Sequence, residues 1–149
     1  MRKEGFLMKL KLKFIFPNEV TVLTSNVSNL EEVEKIVDTF YQKIRTKNSI
    51  YVDTFGGVGD SIYVNLNTIE AIMFIHNFDI NETISNTIFR ILTKTGRKIF
   101  IHLDDNLSVE EIIETLFKDK LSIIKDAKGN FIILNSELIN SILITKKGS

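Results

Sequence analysis

Gly59-Asp60-Ser61-Ile62-Tyr63-Val64-Asn65 and Gly129-Asn130-Phe131-Ile132-Ile133-Leu134-Asn135 are two passages of one chain that lie over each other without a gap. The match runs on through Ile69 to Ile72 and Ile139 to Ile142, and Gly59/Gly129, Ile62/Ile132, Asn65/Asn135, Ile69/Ile139 and Ile72/Ile142 are identical. Each passage opens on a glycine suited to a tight turn, continues as an apolar run of strand length and closes on an asparagine. Asparagine at a strand end closes a turn by bonding nearby backbone, so Asn65 and Asn135 read as structural.

Upstream of each passage stands a helix with a start signal. Ser28-Asn29-Leu30-Glu31 and Ser108-Val109-Glu110-Glu111 both read as capping boxes, with Ser28 and Ser108 as the caps. Leu30, Val33, Val37, Phe40 and Ile44 follow at helical spacing in the first, and Ile112, Ile113, Leu116 and Phe117 in the second, where Leu107 is placed to staple onto Ile112. The helices are expected over 29–45 and 108–118. Before each helix comes a hairpin. Lys9-Leu10-Lys11-Leu12-Lys13-Phe14 alternates charge with apolar side chains and turns at Pro17-Asn18-Glu19 into Val20 to Leu23; three lysines on one face fit an edge strand protected from further pairing. Thr87 to Thr93 and Arg97 to Leu103 flank Thr95-Gly96. After each helix come three strands: Ser49 to Thr54, Ser61 to Leu66 and Ala71 to Ile75, then Lys120 to Lys125, Asn130 to Leu134 and Ser141 to Thr145.

The expected fold class is therefore α+β, an internal duplication of a ββαβββ unit, with repeat 1 over 9–76 and repeat 2 over 85–146. The curved antiparallel sheets would each carry one covering helix. The helix starts are displaced by 80 positions and the later strands by 70, a difference assigned to a longer first helix and a longer glycine loop. A unit of this size buries little core alone, so the halves are expected to pack into one domain spanning 1–149, around a pseudo-twofold axis.

From Gly59 to Leu116 the chain also resembles small flagellar FlbD-type β-proteins. The residues concerned are the glycine, Tyr63-Val64-Asn65, Ile69, Ile72, the hairpin at Gly96 and the helix opened by Ser108-Val109-Glu110-Glu111. The Asn77 to Ser85 insertion and the duplication depart from that pattern. The resemblance implies a compact, twisted sheet with a capping helix and carries over no chemistry.

Across 149 residues Lys+Arg and Asp+Glu number 19 each, for a formal net charge of zero. A general nucleic-acid binder needs excess positive charge to displace phosphate counterions, so nucleic acid is an unlikely partner, and the zero balance leaves little repulsion against self-association. No cysteine is present, which excludes disulfides and thiolate metal sites and fits a cytoplasmic setting. Lys9, Lys11 and Lys13 interrupt any signal-peptide core, and no run reaches the ~18 apolar residues of a membrane span.

Candidates for chemistry are few. Phe55-Gly56-Gly57-Val58-Gly59-Asp60 holds three of the seven glycines. Such a loop can offer backbone N–H groups to a ligand, with Phe55 as an apolar lid, but dinucleotide and P-loop fingerprints need a helix next, and a strand follows here. Phe55, Gly56, Gly57, Gly59 and Asp60 form the candidate ligand site. Lys9, Lys11, Lys13, Arg97 and Lys98 form a candidate anion or nucleic-acid patch. His76 and His102 show neither HxH nor HExxH spacing and read as surface or sheet-face residues, so no metal site is expected. No serine sits in a nucleophile elbow, and paired carboxylates fall in first helical turns, where the helix dipole favours them. No catalytic residue and no cofactor is expected.

The sequence thus points to a non-enzymatic, homo-oligomeric binding protein that captures a small ligand or a protein partner. Its Ile-, Asn- and Lys-rich usage suits a phage or mobile-element inventory. A regulatory interaction module working through an exposed sheet face is the first alternative. An RNA- or DNA-associated small-barrel protein is the second.

Overall fold

The structure is a computed structural model and describes residues 8–52, 62–65, 67–78 and 86–146. In chain order it runs β1 (Met8–Ile15), β2 (Val20–Val27), α1 (Leu30–Lys47), β3 (Ser49–Val52), β4 (Ile62–Asn65), β5 (Ala71–Ile75), β6 (Thr87–Thr93), β7 (Lys98–Leu103), α2 (Val109–Lys118), β8 (Leu121–Lys125), β9 (Phe131–Asn135), a single 3-10 turn and β10 (Ile139–Lys146). The class is α+β, and every strand pairing among the described residues is antiparallel. A five-stranded sheet has the order β2-β1-β5-β9-β8, a three-stranded sheet the order β10-β6-β7, and β3 and β4 form a separate hairpin. No helix of the described residues is long and apolar enough to cross a membrane.

The five-stranded sheet lies between two cores. Leu10, Leu12 and Phe14 of β1, Leu23 and Val27 of β2, and Ile72 and Phe74 of β5 point to one face, where α1 covers them with Val33, Val37, Phe40 and Ile44. Phe40 anchors this layer, stacking on Phe14 at 6.3 Å and meeting Phe74 edge-on at 5.3 Å. On the other face Ile15, Ala71, Ile124, Ile132 and Leu134 meet Phe89, Ile91, Ile99, Ile101 and Leu103 of the three-stranded sheet, with Leu116 of α2 alongside. Residues of β5 and β9 alternate between the two cores, which explains why both strands are continuous apolar runs: each is buried on both sides.

The turns follow local chemistry. Phe16 N–H donates to Glu19 C=O at 2.9 Å beyond Pro17, and Gly96 and Gly129 take φ of 92° and 84°, where a side chain would be strained. Asn65 and Asn135 close matching Asx turns, accepting the N–H of Asn67 at 2.8 Å and of Glu137 at 3.2 Å. Both asparagines do what the sequence assigned to them.

Several expectations change. The cap of α1 is Asn29, whose Oδ1 accepts Glu32 N–H at 2.9 Å, while Ser28 contributes its own N–H to the Glu32 carboxylate at 2.5 Å. The start signal was therefore displaced by one, because Asn29/Glu32 satisfies the same spacing as Ser28/Glu31. Ser108 does cap α2, accepting Glu111 N–H at 3.4 Å. Strand β2 extends to Val27, since Ser25 occupies an inward slot opposite Leu10 and carries the alternation on without an apolar side chain. The lysine-bearing β1 is not an edge strand. It is flanked by β2 and β5, and its lysines line the part of the sheet face beyond Ile15.

Glu70, just before β5, is buried and ties three elements together. Its N–H donates to Ile15 C=O at 2.8 Å, and its C=O accepts Asn135 N–H at 3.1 Å. Thr95 Oγ1 from the β6–β7 turn donates to its Oε2 at 2.5 Å, and Arg97 Nε lies 3.7 Å from its Oε1. Neither Oε1 nor Nε makes a hydrogen bond, so the ion pair is their compensation.

Two stability predictions follow from these contacts. Asn29→Ala and Ser108→Ala each lower unfolding stability by about 1 kcal/mol in urea denaturation, whereas Ser28→Ala stays within about 0.5 kcal/mol. Arg97→Met strands the buried Glu70 carboxylate and costs about 3 kcal/mol, the low end for a broken buried pair, since Arg97 is partly exposed. Adding Glu70→Gln to Arg97→Met recovers most of that loss; a double variant as unstable as the single would show that charge is not the cause.

Candidate functional site

The glycine-loop candidates Phe55, Gly56, Gly57, Gly59 and Asp60 lie outside the described residues. The candidate basic patch is divided. Lys9 is exposed, with Lys11 and Lys13 half-buried, along one face of β1, and Lys11 Nζ sits 5.8 Å from the centre of the Phe78 ring. Arg97 is engaged with Glu70 and approaches Pro17 C=O at 3.5 Å. Lys98 stands on β7, in the other sheet. The three lysines form a row, and the two remaining cations belong to other surroundings.

The histidines are separated in role. His76 Nε2 is 2.7 Å from Gly129 C=O, and its N–H donates to Asn130 Oδ1 at 3.0 Å, so it fastens the end of β5 to the β8–β9 turn. His102 is exposed on β7, and its C=O accepts Ala127 N–H at 2.7 Å. Among the described residues no group of three or more His, Asp or Glu could hold a metal ion.

The first alternative drawn from the sequence named an exposed sheet face without residues, and of the candidate site residues only Lys98 falls on the outer face of β10-β6-β7. Strand β6 sends Phe89 and Ile91 inward, which leaves Ile88, Arg90 and Leu92 on the outside. Register then places Leu143, Arg90 and Phe100 side by side across the three strands, with Thr145, Ile88 and His102 on one flank and Ser141, Leu92 and Lys98 on the other. Phe100 and Leu143 are exposed, and the Arg90 guanidinium lies 6.0 Å from the centre of the Phe100 ring. The signal was present in Ile88-Phe89-Arg90-Ile91-Leu92, where apolar residues fall on both parities of one strand.

Beside α2 a groove of about 260 Å³ runs between Leu107, Ile112, Leu116, Ile123 and Ile124. It brings Leu107 and Ile112 to one place, and its size falls just short of the ~300 Å³ at which small-molecule pockets begin. The outer face of β10-β6-β7 is thus a mixed apolar and cationic sheet face.

Comparison of the chain with protein-family models, with curated protein sequences and with solved structures gave no significant match. These comparisons neither support nor refute the resemblance of residues 59–116 to flagellar FlbD-type proteins.

Proposed function

We propose that this chain is a non-enzymatic binding protein, built from two like halves and working as a homo-oligomer, that captures a protein partner on the outer face of β10-β6-β7. The observation that carries the reading is the Leu143–Arg90–Phe100 row. Arginine and aromatic residues beside an exposed aliphatic are the side chains that dominate protein interfaces, and here they project from a sheet whose other face is fixed by a core. Such a face needs no rearrangement to bind.

The like-halves element has support of its own. In each half the second strand pairs with the first and the first with the fifth, while the third pairs with the fourth: β2-β1-β5 with β3-β4, and β7-β6-β10 with β8-β9. The identical Asn65 and Asn135 make the same Asx turn. Buried Ile44 and Leu116 sit at matching places near the ends of the two helices.

A photo-crosslinking residue at Phe100 should yield a discrete protein adduct in cells, and the same residue at Glu34, on the exposed side of α1, should not. Phe100→Ser combined with Arg90→Ser should weaken partner retention by at least about 2 kcal/mol while leaving the unfolding midpoint near wild type. Equal labelling at both positions, or retention unchanged in the double variant, would remove the outer face from the function.

A further inference from the structure

We infer that β10 of one copy pairs antiparallel with β4 of a second copy, so that two chains exchange these edges and close a two-fold dimer. The inference rests on the like-halves reading above and names the surface through which the homo-oligomer forms. Its basis is a join that the chain makes once and leaves unmade once. The fifth strand of the first half, β5, pairs with the fourth strand of the second, β9: Ala71 faces Leu134, Ile72 faces Ile133, Met73 faces Ile132 and Phe74 faces Phe131. Carried to the other half, this join sets β10 against β4, with Ser141 facing Val64, Ile142 facing Tyr63 and Leu143 facing Ile62. Among the described residues β10 pairs only with β6, and β4 only with β3.

Exposure at matching positions records the difference. Ile133 is 2% exposed in the join that is made, and its counterpart Tyr63 is 62% exposed. Phe74 is fully buried, and its counterpart Ile144 is 38% exposed. Asn135 is buried and spans the made join by donating from Nδ2 to Ile69 C=O at 3.0 Å; Asn65 is exposed and, among the described residues, makes no such bond to Ile139.

The composition of the edge agrees. Ile139 to Thr145 carries neither a charge nor a proline, the devices by which edge strands avoid pairing. A second copy brings the one strand already matched to this edge by the pattern of the molecule. Two reciprocal joins close as a dimer, with neither the β10 nor the β4 edge left to propagate.

Cysteine scanning tests the pairing cleanly, because the chain has no cysteine of its own. A mixture of Ile142→Cys chains with Tyr63→Cys chains should, on mild oxidation, give a disulfide-linked band of twice the chain mass. Neither variant oxidised alone should give more than a small fraction of that yield, nor should Ile142→Cys mixed with Tyr51→Cys, one strand further away. Native mass spectrometry of the wild-type chain should show the dimer. Tyr63→Glu with Ile144→Glu, which sets like charges diagonally across each join, should convert it to monomer, with circular dichroism and unfolding midpoint essentially unchanged.

A wild-type chain that is monomeric at micromolar concentration overturns the inference, as does a dimer that survives both charges. So does an Ile142→Cys/Tyr63→Cys double variant that oxidises within one chain, since β10 would then meet β4 of its own copy. The Phe100 adduct separates this result from the reading beneath it. A monomer that still forms the adduct rejects the edge exchange and the homo-oligomer but leaves partner capture on the outer face standing, and a dimer that lacks it rejects the outer face alone.

Discussion

The pairing of β5 with β9 is the constraint on which the rest of the molecule depends. These strands come from opposite halves, yet they sit side by side in the interior of the five-stranded sheet and are buried on both faces. Ile72 and Ile133 supply the floor of the core under α1, and Ala71, Ile132 and Leu134 supply the floor of the core under the three-stranded sheet. A slip of one residue by either strand would send that strand's side chains to the wrong core. Neither helix, nor the three-stranded sheet, has a complete surface to pack on until the pair is in register.

Polar groups hold that register where apolar packing alone would tolerate slippage. Glu70 and Asn135 lie at one end of the pair and are joined through backbone, while Asn135 Nδ2 reaches Ile69 C=O. At the other end Asn130 Oδ1 accepts the N–H groups of both His76 and Asn77. Buried groups of this kind are costly when unpaired, and a slipped register would unpair them at both ends. His76, expected as a surface or sheet-face residue, is part of this fastening.

Much of the fold was legible in the sequence, and the parts that were not share a cause. Helices and strands could be placed because periodicity is local: the α1 stripe, the β1 alternation and the Asx turns each depend on neighbours within a few residues. The choice between Ser28 and Asn29 as cap was ambiguous, since each is followed three residues later by a glutamate. The partners of β1 were misjudged because a lysine row records only that one face meets water, and a central strand can do that where the covering layer stops, here just beyond Ile15. The sharing of one sheet between halves was not legible at all. A strand buried on both faces loses the alternation that would reveal its orientation, and nothing local marks its neighbour. An exposed sheet face could be expected but its residues could not be named, for a related reason: Arg90 and Phe100 meet only through the register of two strands.

The join between the halves also sets an order in time. Ala71 and Leu134 are about sixty residues apart along the chain, so a ribosome working at roughly 5–20 residues per second releases the first half seconds before its partner strand. During that interval β1, β2 and α1 can assemble around β5, whose free edge must wait. A nascent chain of this design therefore carries an unpaired, wholly apolar strand through the most crowded stage of its life. Neighbouring ribosomes on one message would hold several such edges close together, and rapid arrival of the second half becomes part of what protects the protein from aggregation.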